Sequence, residues 1–253
     1  MYPRYPLPLK KVLPIALGAL FVKPRSIHQD AVRLTEEIKP PLRLRGEEHI
    51  PDHGPCLITM NHYFRPGFQG LWIGLAVSAV IPLDIHWVMT AAWTFPGSPL
   101  KPILKPLSRW LFRRVARAYD FTPMPAMPPD PDEVEERAEA VRHLLAFCRM
   151  HPTSIIGLAP EGMDMPGGKV SVPPTGVGRL IYQLANRRMH ILPIGIYEEA
   201  GELCLQVGAS YRLEMDEKPA PSQRESLVSH TVMNAIAAQL PLRLRGDFTG
   251  EEV

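Results

Sequence analysis

The sequence predicts a single α/β domain with a mixed, largely parallel sheet covered by helices, preceded by a short amphipathic N-terminal segment. Two observations carry this. Short apolar runs bounded by turn residues alternate with longer helical patterns, as expected for strands buried on both faces. The chain has 29 prolines in 253 residues, about twice the usual share, which favours many short elements over long helices. With 45% apolar and 21% charged residues the composition is that of a folded protein, neither disordered nor polytopic. Residues 1–38 read as a basic, apolar N-terminal segment, 39–213 as the α/β domain, and 214–253 as a C-terminal helix and tail packing on it.

Taken in order, a polar helix is expected at about 27–38 and a strand at Leu42–Arg45. Cys56–Met60 reads as a buried strand opened by the turn dipeptide Gly54-Pro55. An apolar helix follows at Gly67–Ile81, a strand at Ile85–Thr90, a helix at Leu100–Ala118 and a short strand at Tyr119–Thr122. The proline-rich stretch 123–131 is a loop. A helix over Pro131–Cys148 has Asp130 as cap and acids in its first turn, with Val134, Ala138, Val141, Leu145 and Cys148 as its apolar stripe. Ser154–Leu158 and Ile191–Tyr197 are strands around a helix at about 175–187; Leu203–Val207 is a further strand and 222–239 a closing helix.

Charge is uneven. Residues 1–29 carry five cations (Arg4, Lys10, Lys11, Lys23 and Arg25) and no acid, so the net charge of +2 conceals a slightly acidic remainder. Between the lysines lies the uncharged run Val12–Val22, which as a helix spans about 16 Å, half of a ~30 Å hydrocarbon core. It is too short to cross a bilayer. An in-plane anchor on an anionic membrane surface is favoured, over a terminal helix packed on its own domain and over a signal peptide, which lacks a clear cleavage site. Pro66–Leu83 is also uncharged throughout, but its helical part is again too short to span. Cys56, Cys148 and Cys204 lie far apart without CxxC spacing and read as buried thiols in a reducing compartment. The expected location is the cytoplasmic side of a membrane, peripherally bound.

A second cationic feature falls between Asp84 and Asp120, where no acid occurs. Lys105, Arg109, Arg113 and Arg117 recur every four residues, with Leu104, Leu107, Leu111 and Val115 on the other side. Such a helix suits an anionic membrane, the phosphates of coenzyme A or an acidic carrier protein. A solvated cationic face is the plainer alternative. Nucleic acid is disfavoured, because net charge is near neutral and no aromatic platform accompanies the cations.

The chemistry gathers at strand ends. Cys56–Met60 runs straight into Asn61-His62, placing an imidazole where α/β folds put their ligand crevices. Ile155-Ile156-Gly157-Leu158 leads likewise into Ala159-Pro160-Glu161-Gly162, and Leu192-Pro193-Ile194 lies in a later strand. In order and spacing, over about residues 41–213, these blocks resemble the glycerophospholipid (lysophosphatidate-type) acyltransferase family. Its landmarks are N-H-x4-D, an arginine motif, F-P-E-G-T-R-S and V-P-[VI]. The Gly176…Arg179-Leu180 helix between the third and fourth blocks is also similar.

The resemblance implies acyl transfer from a thioester, acyl-CoA or acyl-carrier protein, to a lipid hydroxyl, with no cofactor or metal. It makes His62 the general base and gives Asn61, Pro160, Glu161 and the Gly162 backbone acceptor-binding roles. Arg65, three residues after His62, joins them as a phosphate ligand or as a cation that keeps His62 neutral by repulsion, with a surface turn cation as the equal alternative. The chain departs from the pattern in three places. Gly67 stands where the family has aspartate, the second block has no arginine, and Met163-Asp164-Met165 replaces T-R-S. Asp84, Asp164 and Glu161 are the candidates to orient His62 in place of that aspartate. Loss of the carboxylate also admits a second reading, a non-catalytic lipid- or acyl-thioester-binding relative. The pair His49 and His53 has metal-ligand spacing, but Pro51 interrupts it. The glycines Gly176 and Gly178 lack the third glycine of a dinucleotide loop.

Overall fold

In the computed structural model of the chain, which describes residues 2–95, 97–126, 131–214 and 219–249, seven strands form one sheet between two layers of helices. In chain order the elements are α1 (Leu9–Leu20), α2 (Ile27–Thr35), β1 (Arg43–Arg45), β2 (Cys56–Met60), α3 (Leu71–Val80) and β3 (Ile85–Thr90). Then come α4 (Lys101–Tyr119), β4 (Thr122–Met124), α5 (Val134–Met150), β5 (Ile155–Leu158), α6 (Val177–Ala185), β6 (His190–Glu199), β7 (Glu202–Val207) and α7 (Pro221–Ala238). The sheet order is β1-β7-β6-β2-β5-β3-β4. All neighbours are parallel except β6 and β7, joined at Ala200-Gly201, where both residues take positive φ as a two-residue hairpin requires.

The core is the apolar strand set. Every residue of β2 and β5 is buried, which explains why both read as unbroken apolar runs. Gly157 in β5 is needed for packing, because a Cβ there would stand 2.4 Å from the Trp87 ring. The three cysteines are buried and unpaired. Gly178 lets α6 lie against α7: a Cβ would meet the Glu225 carbonyl oxygen at 2.3 Å.

Several expectations change. Tyr119 closes α4 rather than opening a strand, since Asp120 turns left-handed at φ 56° and ends the helix. The strand begins only at Thr122, and Pro123 is tolerated because β4 is the sheet edge. The expected loop at 123–131 therefore starts after Met124, and Asp130 lies outside the described residues. The apolar helix starts at Leu71, not Gly67, whose φ of +79° belongs to the preceding turn. The buried face of α5 is Ala140, Leu144, Phe147 and Cys148, whereas Val134 and Ala138 are exposed. The stripe is rotated because Phe147 stacks on the His86 ring of β3, with centroids 3.7 Å apart.

The polarity of α4 is reversed. Its cations point at α5: Lys105 Nζ and Arg109 Nη2 reach Glu133 at 3.1 and 3.0 Å, and Arg113 Nη2 lies 3.7 Å from Glu136. Leu107 and Leu111, from the apolar side of that helix, are exposed together with Ile103 and Trp110. Beside it, α1 buries Gly18 and Ala19 but exposes Leu9, Leu13, Leu17 and Leu20 along one face. The Arg25 N–H donates to Ala118 O at 2.9 Å, and Arg25 forks onto buried Asp30 at 2.6 Å through both Nε and Nη2, tying the N-terminal helices to α4. Among the described residues no helix is long and apolar enough to cross a membrane.

His86 predicts a pH dependence. It is buried with Nε2 2.8 Å from Thr122 Oγ1, and burial pushes it down from 6.5 to about 4, with His143 and His151 adding to the effect against Asp120. The folded state thus binds fewer protons than the unfolded one, so stability present above pH 6.5 is lost as pH falls towards 4. His86→Gln should flatten that slope by on the order of 2 kcal/mol between pH 7 and pH 4.5, read from urea midpoints. An unchanged slope would exclude His86 as its source.

Candidate active site

The centre of the sheet delivers the site. β2 lies between β5 and β6, and its last residue passes the chain to Asn61 and His62 at the carboxyl edge. Asn61, fully buried, prolongs the strand with its side chain. Its Nδ2 donates to Ile196 O at 2.9 Å, and its Oδ1 accepts the Ile196 N–H at 2.7 Å. Expected to bind substrate, Asn61 instead has both ends of its amide committed to β6 and fixes the start of the His62 turn.

Glu161 holds that turn from the other side. It is 1% exposed, accepts the His62 N–H at Oε2 (2.7 Å) and accepts the Ser171 N–H at Oε1 (2.8 Å). Burial pushes its carboxyl upward, while these N–H groups pull the other way. Glu161 is thereby a brace between two loops, not a free acceptor ligand. Pro160 is buried behind it, and the Gly162 N–H donates to Ala159 O at 3.1 Å within the turn.

Arg65 also differs from expectation. Its Nη2 donates to Glu198 Oε1 at 2.8 Å, its Nε contacts the other carboxylate oxygen, and its Nη1 donates to Pro66 O at 3.0 Å. Tyr63 Oη donates to the same Glu198 at 3.2 Å; burial and that carboxylate raise the hydroxyl to about 12. The Tyr2 ring covers the guanidinium at 3.9 Å. Arg65 is a compensated, mostly covered cation and not an open phosphate ligand.

The His62 side chain stands partly open, 28% exposed, with Asp164 Oδ1 2.9 Å from its Nδ1. The approach is close but off the N–H direction, so it is not an aligned hydrogen bond; Nδ1 has no aligned partner among the described residues. Of the three carboxylates that sequence leaves open, Asp164 is the one beside the ring. Asp84 caps α2 instead, accepting from Ser26 Oγ at 2.8 Å and from the His28 N–H at 3.0 Å. Gly70, directly before α3, faces the ring: a Cβ there would lie 3.7 Å from His62 Cε1. At Gly67, with φ +79°, any side chain would be strained, and a Cβ would have Arg65 Nη1, not the imidazole, within 4 Å.

The other sequence motifs lie elsewhere. His49 Nδ1 sits 3.0 Å from Val207 O, and no cluster of three metal-ligating side chains occurs among the described residues. Gly176 opens α6 and donates its N–H to Glu225, a helix-packing role.

A histidine and a braced glutamate thus lie on adjacent loops at the carboxyl edge of a parallel sheet, the edge at which α/β folds place their ligand sites. A family model described as Acyltransferase matches residues 41–197, so the chain belongs to that acyltransferase family. The fold is similar to that of PlsC, the 1-acyl-sn-glycerophosphate (LPA) acyltransferase from Thermotoga maritima. The TM-score is 0.53 at 12% identity, over 83% of this chain and 76% of that one. No curated protein sequence matches.

The Asn61 clip is testable by stability. Asn61→Ala leaves the Ile196 N–H and C=O buried without their partners, at about 1–3 kcal/mol for each unsatisfied group. The denaturant midpoint should fall accordingly; a midpoint equal to that of the parent would mean that β6 is held without Asn61.

Proposed function

We propose that the chain is an O-acyltransferase that moves a fatty acyl group from an acyl thioester, acyl-CoA or acyl-carrier protein, to a hydroxyl of a lipid, with His62 as general base. The observation that carries the reading is the placement of His62. It is the partly open imidazole at the end of the central strand, in a chain of the acyltransferase family. With Nδ1 turned to Asp164, Nε2 is left for the acceptor. It takes the acceptor's O–H proton as that oxygen attacks the thioester carbonyl carbon. The C–S bond then breaks and the thiolate leaves, regaining the proton from the imidazolium as free thiol.

The acceptor's reacting end is uncharged. The charged groups that meet the His62 turn are Asp164, Glu161 and an Arg65 neutralised by Glu198, and Asp164 stands where the family pattern has arginine. A phosphomonoester next to the hydroxyl would face carboxylates. A neutral glycerolipid meets no such penalty. The binding-only alternative was motivated by the aspartate missing at Gly67, and a carboxylate next to His62 removes that motive.

We place the reaction on a membrane surface. The exposed leucines of α1 and the exposed Ile103, Leu107, Trp110 and Leu111 of neighbouring α4 support shallow insertion, with Lys10 and Lys23 at the headgroups. The cytoplasmic face is the side on which three free thiols remain reduced.

Purified chain, given labelled acyl-CoA and a panel of monoacylglycerol and lysophosphatidate acceptors, should transfer the label, and to monoacylglycerol faster. His62→Ala should lower turnover by about 10²–10⁴-fold. Equal turnover by the variant and the parent would sink the base assignment. For the membrane, Leu13→Glu with Leu17→Glu alters only exposed positions of α1. The double variant should stay in the supernatant when the parent sediments with anionic vesicles, and undiminished sedimentation would remove α1 from the docking face.

A further inference from the structure

We infer that Asp164 is the positioning carboxylate of His62, supplied from the loop after β5 rather than from the turn that carries the histidine. The inference rests on His62 being the base. Three observations converge on it. The first is contact: Asp164 Oδ1 lies 2.9 Å from His62 Nδ1, an atom that is otherwise without a partner among the described residues. The second is elimination, since the neighbouring carboxylates are committed. Glu161 is taken by two backbone N–H groups, Glu198 by Arg65 and Tyr63, and Asp84 by the start of α2.

The third is how firmly the loop is seated. Glu161, three residues before Asp164, accepts the His62 N–H, and Ser171 beyond it donates to the same carboxylate. Between them Gly168, at φ +65°, packs so close to the His62 turn that a Cβ would be 2.8 Å from Phe64 O. Asp164 is thus carried on a segment fixed to the histidine's own turn on both sides. In adjacent parallel strands Thr59 pairs with Leu158, so residues a few positions beyond each strand end emerge side by side.

The chemistry follows. A carboxylate at Nδ1 selects the tautomer with its proton there, leaves the Nε2 lone pair towards the acceptor, and stabilises the imidazolium formed when the acceptor proton is taken. The approach is off-axis as it stands, and a small ring rotation aligns it, as is common before substrate binds. Asp164 touches the base and not the substrate, so its removal should act on kcat more than on KM.

The test compares parent, Asp164→Ala, Asp164→Asn, Asp164→Glu and His62→Ala as full chains, following thiol release from acyl-CoA with monoacylglycerol. Asp164→Ala should lose about 10²-fold or more in kcat with little change in KM, and added formate should restore part of it. Asp164→Glu should retain more activity than Asp164→Asn. Formate should leave His62→Ala inactive. A readout independent of turnover is the deshielded imidazole N–H proton resonance of His62, present in the parent and absent from both His62→Ala and Asp164→Asn.

If Asp164→Ala turns over like the parent while His62→Ala does not, the assignment of Asp164 fails and that of the base survives. If neither variant is impaired, the base reading itself fails. Should no acceptor be turned over at all, a His62 resonance unchanged in Asp164→Asn would still overturn the pairing, and its loss would support it.

Discussion

Glu161 is a carboxylate with almost no solvent of its own, set between two loops that leave adjacent strands. A lone buried charge there would be strongly unfavourable. Each oxygen instead meets a backbone N–H, one from His62 and one from Ser171, and bonds from N–H groups to a charged acceptor are among the stronger ones available. Both donors are main chain, so the brace fixes where the two loops run without dictating the side chains they display. The position of His62, the seat of the loop bearing Asp164 and the crevice between them all depend on it. Asn61 does the corresponding work on the opposite side of β2, so the turn is clamped to both neighbouring strands.

Much of this was legible in the sequence. β2 is read to its observed ends because a strand covered on both faces leaves a nearly unbroken apolar run, and turn residues bound it sharply. Glu161 is legible for the same reason, as the first polar group after β5, and His62 follows Asn61 directly after β2. Helix faces are harder. Spacing selects Val134 and Ala138 for the inner side of α5, but the ring of Phe147 stacking on His86 sets the rotation. On α4 the periodic cations suggest an outward polar side, yet Glu133 and Glu136, on the next helical segment, draw them in. A stripe of charge does not reveal which of its two sides meets a partner of opposite sign. Arg65 fails in the same way, since Glu198 is distant in sequence and touches it only through the fold. The choice of Asp164 over Asp84 needed the sheet order, which no local pattern contains.

The N-terminal residues are more than an appendage to the domain. Tyr2 covers Arg65, and Tyr5 donates to Glu198 at 2.5 Å while its ring packs on Phe68 and Trp72. The segment leading into α1 therefore lies against the far end of the turn that begins at His62. The apolar faces of α1 and α4 and the His62 turn therefore belong to one connected body.

Two strand ends side by side offer one point in space to two different stretches of chain. In this chain the carboxylate beside the histidine comes from the second stretch and not from the histidine's own. Here Gly67 carries no carboxylate and is bent by a positive φ, while Asp164 stands beside the ring. A pattern that demands both partners within one short motif would discard this chain as defective. A description by strand ends would keep it.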